Sequence, residues 1–460
     1  MKYERTNVWE QISDEELQEL EAYNKEYMAF LSQAKTERLA HDWIVKAALE
    51  AGFKPLEEAL QGDVKPGDKI VASNHGKGAA LFVLGEDIAE GMDIVGSHID
   101  APRLDIKAVP LHEEGNMAYL RTHYYGGVKL YHWLNLPLAL HGVMFKKDGT
   151  KVDIHVGEDP DDPVFYINDL LIHLSHKLLQ EKASDVIKGE QLQVVIGHSS
   201  RGKEKDGEGV ADNVRKFLLE KYGVEEADFM SAELEVVPAG PAREVGFDRS
   251  LIAGHGHDDR ICSFANLKAV LEAQPTKRTK VGLFVDKEEV GSQGNTGMLS
   301  AFFENAVAEL LGAMHETYDE RYLKRAFAHS RVLSADVTAA YDPQFEALGV
   351  FEKQNAAMLG CGVSISKYTG SGGKGGSNDA NAEFLSDIRQ VFEREGVIYQ
   401  TAELGAVNAG GGGTIAYILA NAGAEVVDCG TGMLSMHAPI ELASKADAYE
   451  TYRAYRAFWK

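Results

Sequence analysis

The chain has 460 residues, of which 44% are hydrophobic. This length exceeds the size at which one hydrophobic core stops growing, so we expect two domains. The 71 acidic and 47 basic residues give a formal net charge of −24, which argues against nucleic acid and anionic membranes as partners.

The three cysteines, Cys262, Cys361 and Cys429, are scattered and form no CxxC pair. Neither a disulfide framework nor a thiolate zinc site is expected, and we interpret them as reduced core residues. The N-terminus leads into an acidic helical pattern without the apolar core of a signal peptide. The chain also has no run of about 18 apolar residues, so no membrane span is predicted. These features predict a cytoplasmic protein.

The first hundred residues predict a helical segment followed by strands. Ser13 precedes Asp14-Glu-Glu, which is typical of a helix N-cap, and apolar residues recur at helical spacing through residues 13–51. Alternating and apolar runs then predict strands. These strands are 69–74, 79–84 and 92–96.

Between about residues 104 and 241 the strand signals come close together, which predicts a compact, mostly β domain inserted into another domain. A leucine stripe predicts a helix over 168–182. A second helix is predicted over 212–222, and 201–209 is a charged loop. The predicted strands are 104–111, 117–122, 138–145, 151–156, 191–196 and 233–237.

After Pro241 strands and helices alternate, which favours an α/β fold: a mostly parallel sheet with helices on both faces. A glycine-rich stretch at 369–378 is interpreted as a mobile loop. The predicted strands are 281–285, 330–334, 362–367, 400–404 and 425–428. The predicted helices are 263–273, 301–326, 379–395, 414–422 and 440–460.

The strand predicted at 281–285 ends in Asp286-Lys-Glu-Glu. Adjacent carboxylates at the end of a core strand resist joint ionisation, so a cation is expected beside Glu288 and Glu289. A solvated surface turn is the alternative on this stretch alone.

Other ligand-type side chains also follow predicted strands, and ligands of open α/β sheets bind beyond the carboxyl ends of the strands. Two histidines with several carboxylates and no cysteine favour zinc, manganese or cobalt. Together with the two glutamates, the candidates are His98, Asp100, Asp258, Asp336 and His437.

Four motifs resemble those of the M18 metalloaminopeptidase family, in its order and over nearly the whole chain. They are Ser97-His-Ile-Asp-Ala-Pro-Arg-Leu-Asp, Asp286-Lys-Glu-Glu-Val-Gly-Ser, Ser334-Ala-Asp-Val and Met433-Leu-Ser-Met-His-Ala. The resemblance implies a catalytic domain of the di-zinc exopeptidase type over 1–103 and 242–460. It also implies an inserted dimerisation domain over 104–241, and dimers assembled into a tetrahedral dodecamer.

The resemblance implies roles for the candidate residues around two divalent ions, zinc in the first place, with cobalt or manganese as alternatives. His98 and Asp336 match the ligands of one ion, and Glu289 and His437 those of the other. Asp258 matches the bridging carboxylate, with its neighbour Asp259 the less favoured choice. Glu288 matches the general base, and Asp100 matches the residue that orients His98.

Adjacent glutamates at a strand-to-loop turn project in different directions, so one can bind metal while the other faces the attacking water. Two ions sharing a water lower its pKa from near 16 towards about 7. Glu288 would take the proton and pass it to the leaving amine. This arrangement predicts hydrolysis of the N-terminal residue of peptide substrates.

Substrate-binding residues are predicted in two glycine-rich loops. Gly411 and Gly412 precede a predicted helix whose backbone N–H groups could hold substrate oxygens, although a tight turn is the alternative. Lys374 could reach an acidic side chain. Aspartyl-preferring members of the family carry histidines after the Ser-Ala-Asp motif, but Val337-Thr-Ala-Ala-Tyr has none, which favours neutral, hydrophobic or broad specificity.

Three alternative functions remain open at this point. The first is an aminopeptidase that prefers aspartyl or glutamyl residues. The second is a related di-metal carboxypeptidase or amidohydrolase. The third is a catalytically silent oligomeric binding scaffold.

Overall fold

The computed structural model describes residues 3–200, 209–315 and 317–460, so residues 201–208 of the predicted charged loop lie outside the described residues. The chain divides into two compact units. The first comprises the residues up to Asp100 together with Ala242–Met436 and Glu441–Lys460, and the second comprises Ala101–Pro241 and His437–Ile440. Within the described ranges, no helix combines the length and the apolar character needed to cross a membrane.

Among the described residues, one α-helix, α5, lies in the second unit and the others lie in the first. The helices are α1 (Val8–Gln11), α2 (Asp14–Gln33), α3 (Glu37–Glu50), α4 (Leu56–Ala59), α5 (Val210–Tyr222), α6 (His257–Glu272), α7 (Phe302–Met314), α8 (Glu320–Ala328), α9 (Ala382–Glu395), α10 (Ala416–Asn421) and α11 (Lys445–Phe458).

The strands form three sheets. They are β1 (Lys54–Pro55), β2 (Lys69–Asn74), β3 (Gly78–Val83), β4 (Met92–His98), β5 (Arg103–Glu114), β6 (Met117–Tyr125), β7 (Leu138–Phe145), β8 (Lys151–Val156), β9 (Gln193–Gly197), β10 (Ala232–Pro238), β11 (Arg243–Val245), β12 (Leu251–Gly254), β13 (Thr279–Val285), β14 (Arg331–Ser334), β15 (Thr338–Ala339), β16 (Val363–Ser366), β17 (Tyr399–Thr401), β18 (Glu425–Gly430), β19 (Gly432–Leu434) and β20 (Glu441–Ser444).

The first unit is built on a nine-stranded sheet with the order β1-β2-β3-β13-β4-β14-β18-β16-β17. Its central run from β13 through β4 and β14 to β18 is parallel throughout. Successive residues of β4 face opposite sides: Ile94 packs in one apolar cluster and Val95 in another. Buried residues of α2, α3, α6, α9 and α11 belong to one cluster, and those of α7, α8 and α10 to the other. The predicted α/β fold with helices on both faces is confirmed.

Three helix predictions in the first unit need correction. The predicted helix over 13–51 is two helices, because Thr36 starts α3 as an N-cap that accepts a hydrogen bond from the Leu39 N–H. Ser13 does form the expected capping box with Glu16. The helix predicted over 301–326 divides into α7 and α8, and Asp319 caps the second. The last helix begins at Lys445, since the four residues before it form β20 and pair with β12.

The second unit is built on a six-stranded sheet with the order β8-β7-β10-β5-β6-β9, antiparallel at every pairing. The helix predicted over 168–182 was wrong: only short 3-10 turns occur there, Ile172–Leu174 and Leu178–Gln180. Leu171 and Leu174 are 54% and 69% exposed. A helix of this length is stabilised mainly by burying its apolar face, and the described residues leave these leucines mostly exposed.

A five-stranded sheet, with the order β11-β12-β20-β19-β15, was not predicted from sequence and adds to the first unit. Its strands have two to four residues each, too short for a periodic apolar pattern to stand out. It matters for the site because β12 leads into α6, and β15 follows the segment that contains Asp336.

An ion cluster secures the amino ends of the central strands. The buried Asp93 carboxylate on β4 accepts two hydrogen bonds from Arg331, at 2.8 and 2.7 Å, and one from Arg278 at 2.8 Å. Arg278 also donates to the Met92 carbonyl at 3.2 Å. Three strands that carry site residues at their opposite ends are thereby cross-linked.

We expect Asp93→Ala to lower the free energy of unfolding by about 2–3 kcal/mol, because it leaves two partly buried guanidinium groups without their carboxylate. Asp63, an exposed loop residue, provides the control: Asp63→Ala should cost about 0.5 kcal/mol or less. Denaturant midpoints of the two variants measure the difference. Equal midpoints would contradict a structural role for the cluster.

Candidate metal centre

The parallel register of the central strands brings the predicted ligand segments to one edge of the sheet. Val285 of β13 lies opposite His98 of β4, and Ser334 of β14 lies opposite Gly96. The residues that follow these strands therefore emerge side by side. They include Asp100, the turn that carries Glu288 and Glu289, and Asp336.

The Asp100 carboxylate connects two of these segments. Its Oδ1 accepts the Glu288 N–H and its Oδ2 accepts the Glu289 N–H, both at 3.2 Å. The Nδ1 atom of His98 lies 3.2 Å from Asp100 Oδ1 and 3.1 Å from the Asp100 carbonyl oxygen. Both oxygens accept hydrogen bonds, so Nδ1 carries a proton and Nε2 is the nitrogen that would bind a metal ion. The orienting role predicted for Asp100 agrees with these contacts.

The Nε2 atom of His98 lies within 4 Å of three carboxylates. Asp258 Oδ1 is 3.1 Å away, Asp336 Oδ1 is 3.8 Å away and Glu288 Oε2 is 3.9 Å away. Burial by itself would lower the pKa of His98, but its hydrogen bonds with Asp100, Asp258 and Asp336 outweigh burial and raise this pKa well above its usual value. The surroundings of His98 thus strongly favour positive charge.

Two overlapping sets of donor atoms at this edge fit a cation. Atoms of His98, Asp258 and Glu289 lie within 4.8 Å of one another, and so do atoms of His98, Asp259 and Asp336. One imidazole and several carboxylates form a donor set suited to zinc, manganese or cobalt. The residues present therefore fit a divalent metal.

The neighbouring His257 has a structural position. Its Nδ1 is 2.6 Å from the Tyr27 hydroxyl, and its Nε2 is 3.1 Å from the Ile252 carbonyl oxygen. The carbonyl can only accept, so Nε2 donates and Nδ1 accepts from Tyr27. Burial lowers the pKa of His257 to about 4, which keeps the ring neutral. Both nitrogens are engaged, so His257 supports the Asp258 turn and is not a ligand.

Burial shifts the carboxyl groups of the centre towards their neutral forms. It raises the pKa of Glu288 to about 8, with the charges of Asp336 and Asp258 adding to the effect and that of His98 opposing it. Burial also raises the pKa of Asp259 and of Asp336. Such shifts are typical of groups that meet a cation or transfer protons.

His437 is grouped with the second unit. Its Nδ1 donates to the Gly127 carbonyl oxygen at 2.8 Å, so Nε2 is the nitrogen that could coordinate an ion. Its backbone has a φ of 64°. The predicted role of His437 in holding metal is compatible with this tautomer and stays a prediction.

The predicted substrate residues lie in two loops of the first unit. Gly370 donates its N–H to the Gly412 carbonyl oxygen at 2.7 Å. A Cβ on Gly411 would lie 2.2 Å from the Gly370 carbonyl oxygen, so only glycine permits this contact. The Lys374 ammonium lies 2.8 Å from Asp379 Oδ2 and 3.9 Å from the centre of the Tyr368 ring.

Lys374 also lines a small cavity of about 60 Å³, together with Tyr368, Glu403 and Gly410. Tyr368 donates its hydroxyl hydrogen to Glu403 at 2.8 Å. The cavity therefore has one cationic and one anionic wall residue, each already engaged with a neighbour.

Sequence reasoning missed two buried carboxylates in this region. Glu441 Oε2 accepts the Asp258 N–H at 3.1 Å, and no signal in the sequence marks it because it lies in a short, unpredicted strand. Asp428 Oδ1 accepts the Thr414 hydroxyl at 2.6 Å, and burial raises the pKa of Asp428 to about 7. Asp428 ends a predicted strand, so the strand-end argument that found Asp336 could have found it.

Comparisons with known proteins agree with these observations. The family described as Aminopeptidase I zinc metalloprotease (M18) matches residues 30–459. A probable M18 family aminopeptidase 1 from Clostridium acetobutylicum is 49% identical over 458 residues, covering 99% of this chain and 98% of that protein.

Two crystal structures also match the fold. The M18 family aminopeptidase of Thermotoga maritima superposes with a TM-score of 0.95 at 46% identity, with both chains covered fully. Aminopeptidase I from Clostridium acetobutylicum gives a TM-score of 0.91, also at 46% identity and full coverage of both chains. The family model covers nearly the whole chain, and relatives are 47–49% identical to it over almost their full length. The chain therefore belongs to the M18 family of zinc metallopeptidases, which remove N-terminal residues from peptides.

Proposed function

We propose that the enzyme holds two divalent ions, zinc in the first place, with His98 and Asp336 at one, Glu289 and His437 at the other, and Asp258 bridging. The observation that carries the proposal is the convergence of two donor sets on His98 beside the half-buried Glu288. Asp259 belongs to the set with Asp336, so it competes with Asp258 for the bridging role. The ions, when bound, would polarise the scissile carbonyl and acidify the attacking water.

In the proposed mechanism Glu288 carries the proton. Its carboxylate accepts the proton of the attacking water and delivers it to the nitrogen of the leaving amine. Asp100 holds the backbone of the turn that carries this base, since its two oxygens accept the Glu288 and Glu289 N–H groups. It therefore acts as a positioning residue for the base as well as for His98.

Specificity is proposed to be neutral, hydrophobic or broad rather than acidic. The Lys374 ammonium is paired with Asp379 and lies over the Tyr368 ring, so binding an acidic substrate side chain would have to replace these contacts. The absence of histidines in Val337-Thr-Ala-Ala-Tyr favours the same conclusion. Lys374 is the one observation that favours the acidic alternative.

We also propose a homo-oligomer with the second unit as its dimerisation domain. The fold matches the S. cerevisiae mApe1 dodecamer with a TM-score of 0.77 at 19% identity, and the tetrahedral arrangement implied by the family is proposed on that basis. Exposed leucines at 170, 171, 174 and 179 support a protein contact in this unit. Free cysteines at 262, 361 and 429 support the proposal of a reducing, cytoplasmic location.

Glu288→Gln should retain the metal and lower kcat by about 10²–10⁴-fold, because the amide keeps the shape of the base but cannot take a proton. Glu289→Gln is the matched comparison on the adjacent residue and should instead weaken metal binding. Metal content and kcat measured on both variants separate the two roles. Near-normal turnover by Glu288→Gln would overturn the assignment.

A panel of aminoacyl and peptide substrates tests specificity and exopeptidase action. Leucyl substrates should exceed aspartyl and glutamyl substrates in kcat/KM, and N-acetylation should abolish cleavage because a free amine is required. Lys374→Met should change leucyl hydrolysis little. A selective loss of aspartyl hydrolysis in that variant, from a high wild-type level, would establish the acidic alternative. Cleavage of acetylated peptides would favour the carboxypeptidase or amidohydrolase alternative.

Light scattering tests the oligomer. The wild-type mass should be a multiple of the 50.3 kDa chain, with twelve copies expected. Leu174→Asp places a charge in the exposed apolar stretch and should reduce assembly, whereas Lys177→Asp in the same exposed stretch should not. A monomeric wild-type protein would contradict the proposal.

A further inference from the structure

The hairpin of β7 and β8 in the second unit carries a pair of histidines that the catalytic centre does not use. The antiparallel register places His141 directly opposite His155. Strand β8 is the edge of the six-stranded sheet. His141 is buried and His155 is exposed, so the pair is reached from the edge of the sheet.

The protonation of His141 follows from its carboxylate partner. Its Nε2 lies 3.0 Å from Glu158 Oε1, and the other oxygen of Glu158 accepts the Gly240 N–H at 3.0 Å. An ionised carboxylate can only accept, so His141 Nε2 donates to Glu158 and Nδ1 is the nitrogen that could bind an ion. Nδ1 faces His155, whose Nδ1 is 3.3 Å away.

The separation of the two Nδ1 atoms is the distance that a shared metal ion requires. Imidazole nitrogens bound to one tetrahedral ion at about 2.0–2.1 Å lie about 3.3 Å apart. The 3.3 Å between the Nδ1 atoms of His141 and His155 equals this separation and is also within hydrogen-bonding range. Their rings are inclined by 47°, with centroids 5.6 Å apart, so they are not stacked.

We propose that His141 and His155 bind a first-row transition metal ion through their Nδ1 atoms, with Glu158 orienting His141. A carboxylate that accepts the second N–H of a ligating histidine is the usual support of such ligands, fixing the tautomer and raising ligand basicity. Solvent completes the coordination. Imidazole ligands select Cu²⁺, Ni²⁺ or Zn²⁺ over calcium and magnesium, and Cu²⁺ binds most tightly in this series.

The charged neighbours of the pair are compatible with a cation. Glu235 on β10 lies opposite His141 in the sheet and is buried. Its Oε2 is 3.2 Å from Arg103 Nε, and Arg103 also donates to Asp105 at 2.9 Å. Glu235 therefore offsets the charge of Arg103, while Glu158, 3.0 Å from His141 Nε2, provides a negative charge beside the pair.

The site is separate from the catalytic proposal, because all of its residues lie between positions 101 and 241 and none is a predicted ligand or base. A metal there would join the edge strand β8 to its neighbour β7. A metal ion that binds the folded hairpin but not the unfolded chain would stabilise the second unit by mass action. The proposed site is thus a structural or regulatory metal site of moderate affinity.

The test uses the full-length enzyme, loaded with zinc until its activity is maximal, and Cu²⁺ as the probe. Equilibrium dialysis measures the added copper, electron paramagnetic resonance reports nitrogen coordination, and elemental analysis confirms that catalytic zinc is retained. Wild-type protein should bind one more copper equivalent than His155→Ala, with a spectrum showing nitrogen ligands. The copper should also raise the melting temperature of the wild type but not of His155→Ala.

Two further variants make the test specific. Glu158→Gln should weaken copper binding by about 10–100-fold, the usual effect of losing such a carboxylate. His198→Ala removes another exposed histidine of the same unit and should leave copper binding unchanged. All three variants should keep peptidase activity when zinc-loaded. Equal copper binding by wild-type and His155→Ala protein would overturn the site, and unchanged affinity in Glu158→Gln would overturn the role of Glu158.

Discussion

The Asp100 carboxylate joins two chain segments that are 188 residues apart in sequence, and the remaining geometry of the centre depends on this contact. It accepts two backbone N–H groups from the turn that carries Glu288 and Glu289, and it faces Nδ1 of His98. Each of these interactions uses a carboxylate oxygen as the acceptor. One fully buried carboxylate thus sets both the orientation of the histidine ring and the position of the paired glutamates.

The centre gathers more negative charge than a protein interior accommodates by itself. Asp258, Asp336 and Glu288 approach the same nitrogen of His98, and burial raises the pKa of Asp336 and Glu288. A divalent cation would offset this repulsion better than protonation of one imidazole, so the convergence of carboxylates supports the proposed metal site. Glu288 and Glu289 are half-buried, whereas a solvated surface turn was the alternative interpretation of this stretch from sequence.

The strand-end pattern made much of this centre predictable from sequence, because parallel strands bring their carboxyl ends to one edge whatever separates them in the chain. His98 and Asp336 were found in this way. The sequence could not separate Asp258 from Asp259, since neighbouring residues of one type differ only in the direction that the local backbone gives them. Nor could periodicity show that Leu170, Leu171, Leu174 and Leu179 of the stripe over 168–182 are exposed, or detect strands as short as β20, which carries Glu441.

The central sheet also dictates when the centre can form during folding. Strand β4 pairs with β13 and β14, whose residues lie about 190 and 240 positions further along, and Ala101–Pro241 of the second unit is synthesised between β4 and these strands. Closing such long loops is entropically costly and slow. No early, locally folded fragment can therefore assemble the proposed ligands, so a nascent or half-folded chain has no peptidase activity towards its neighbours.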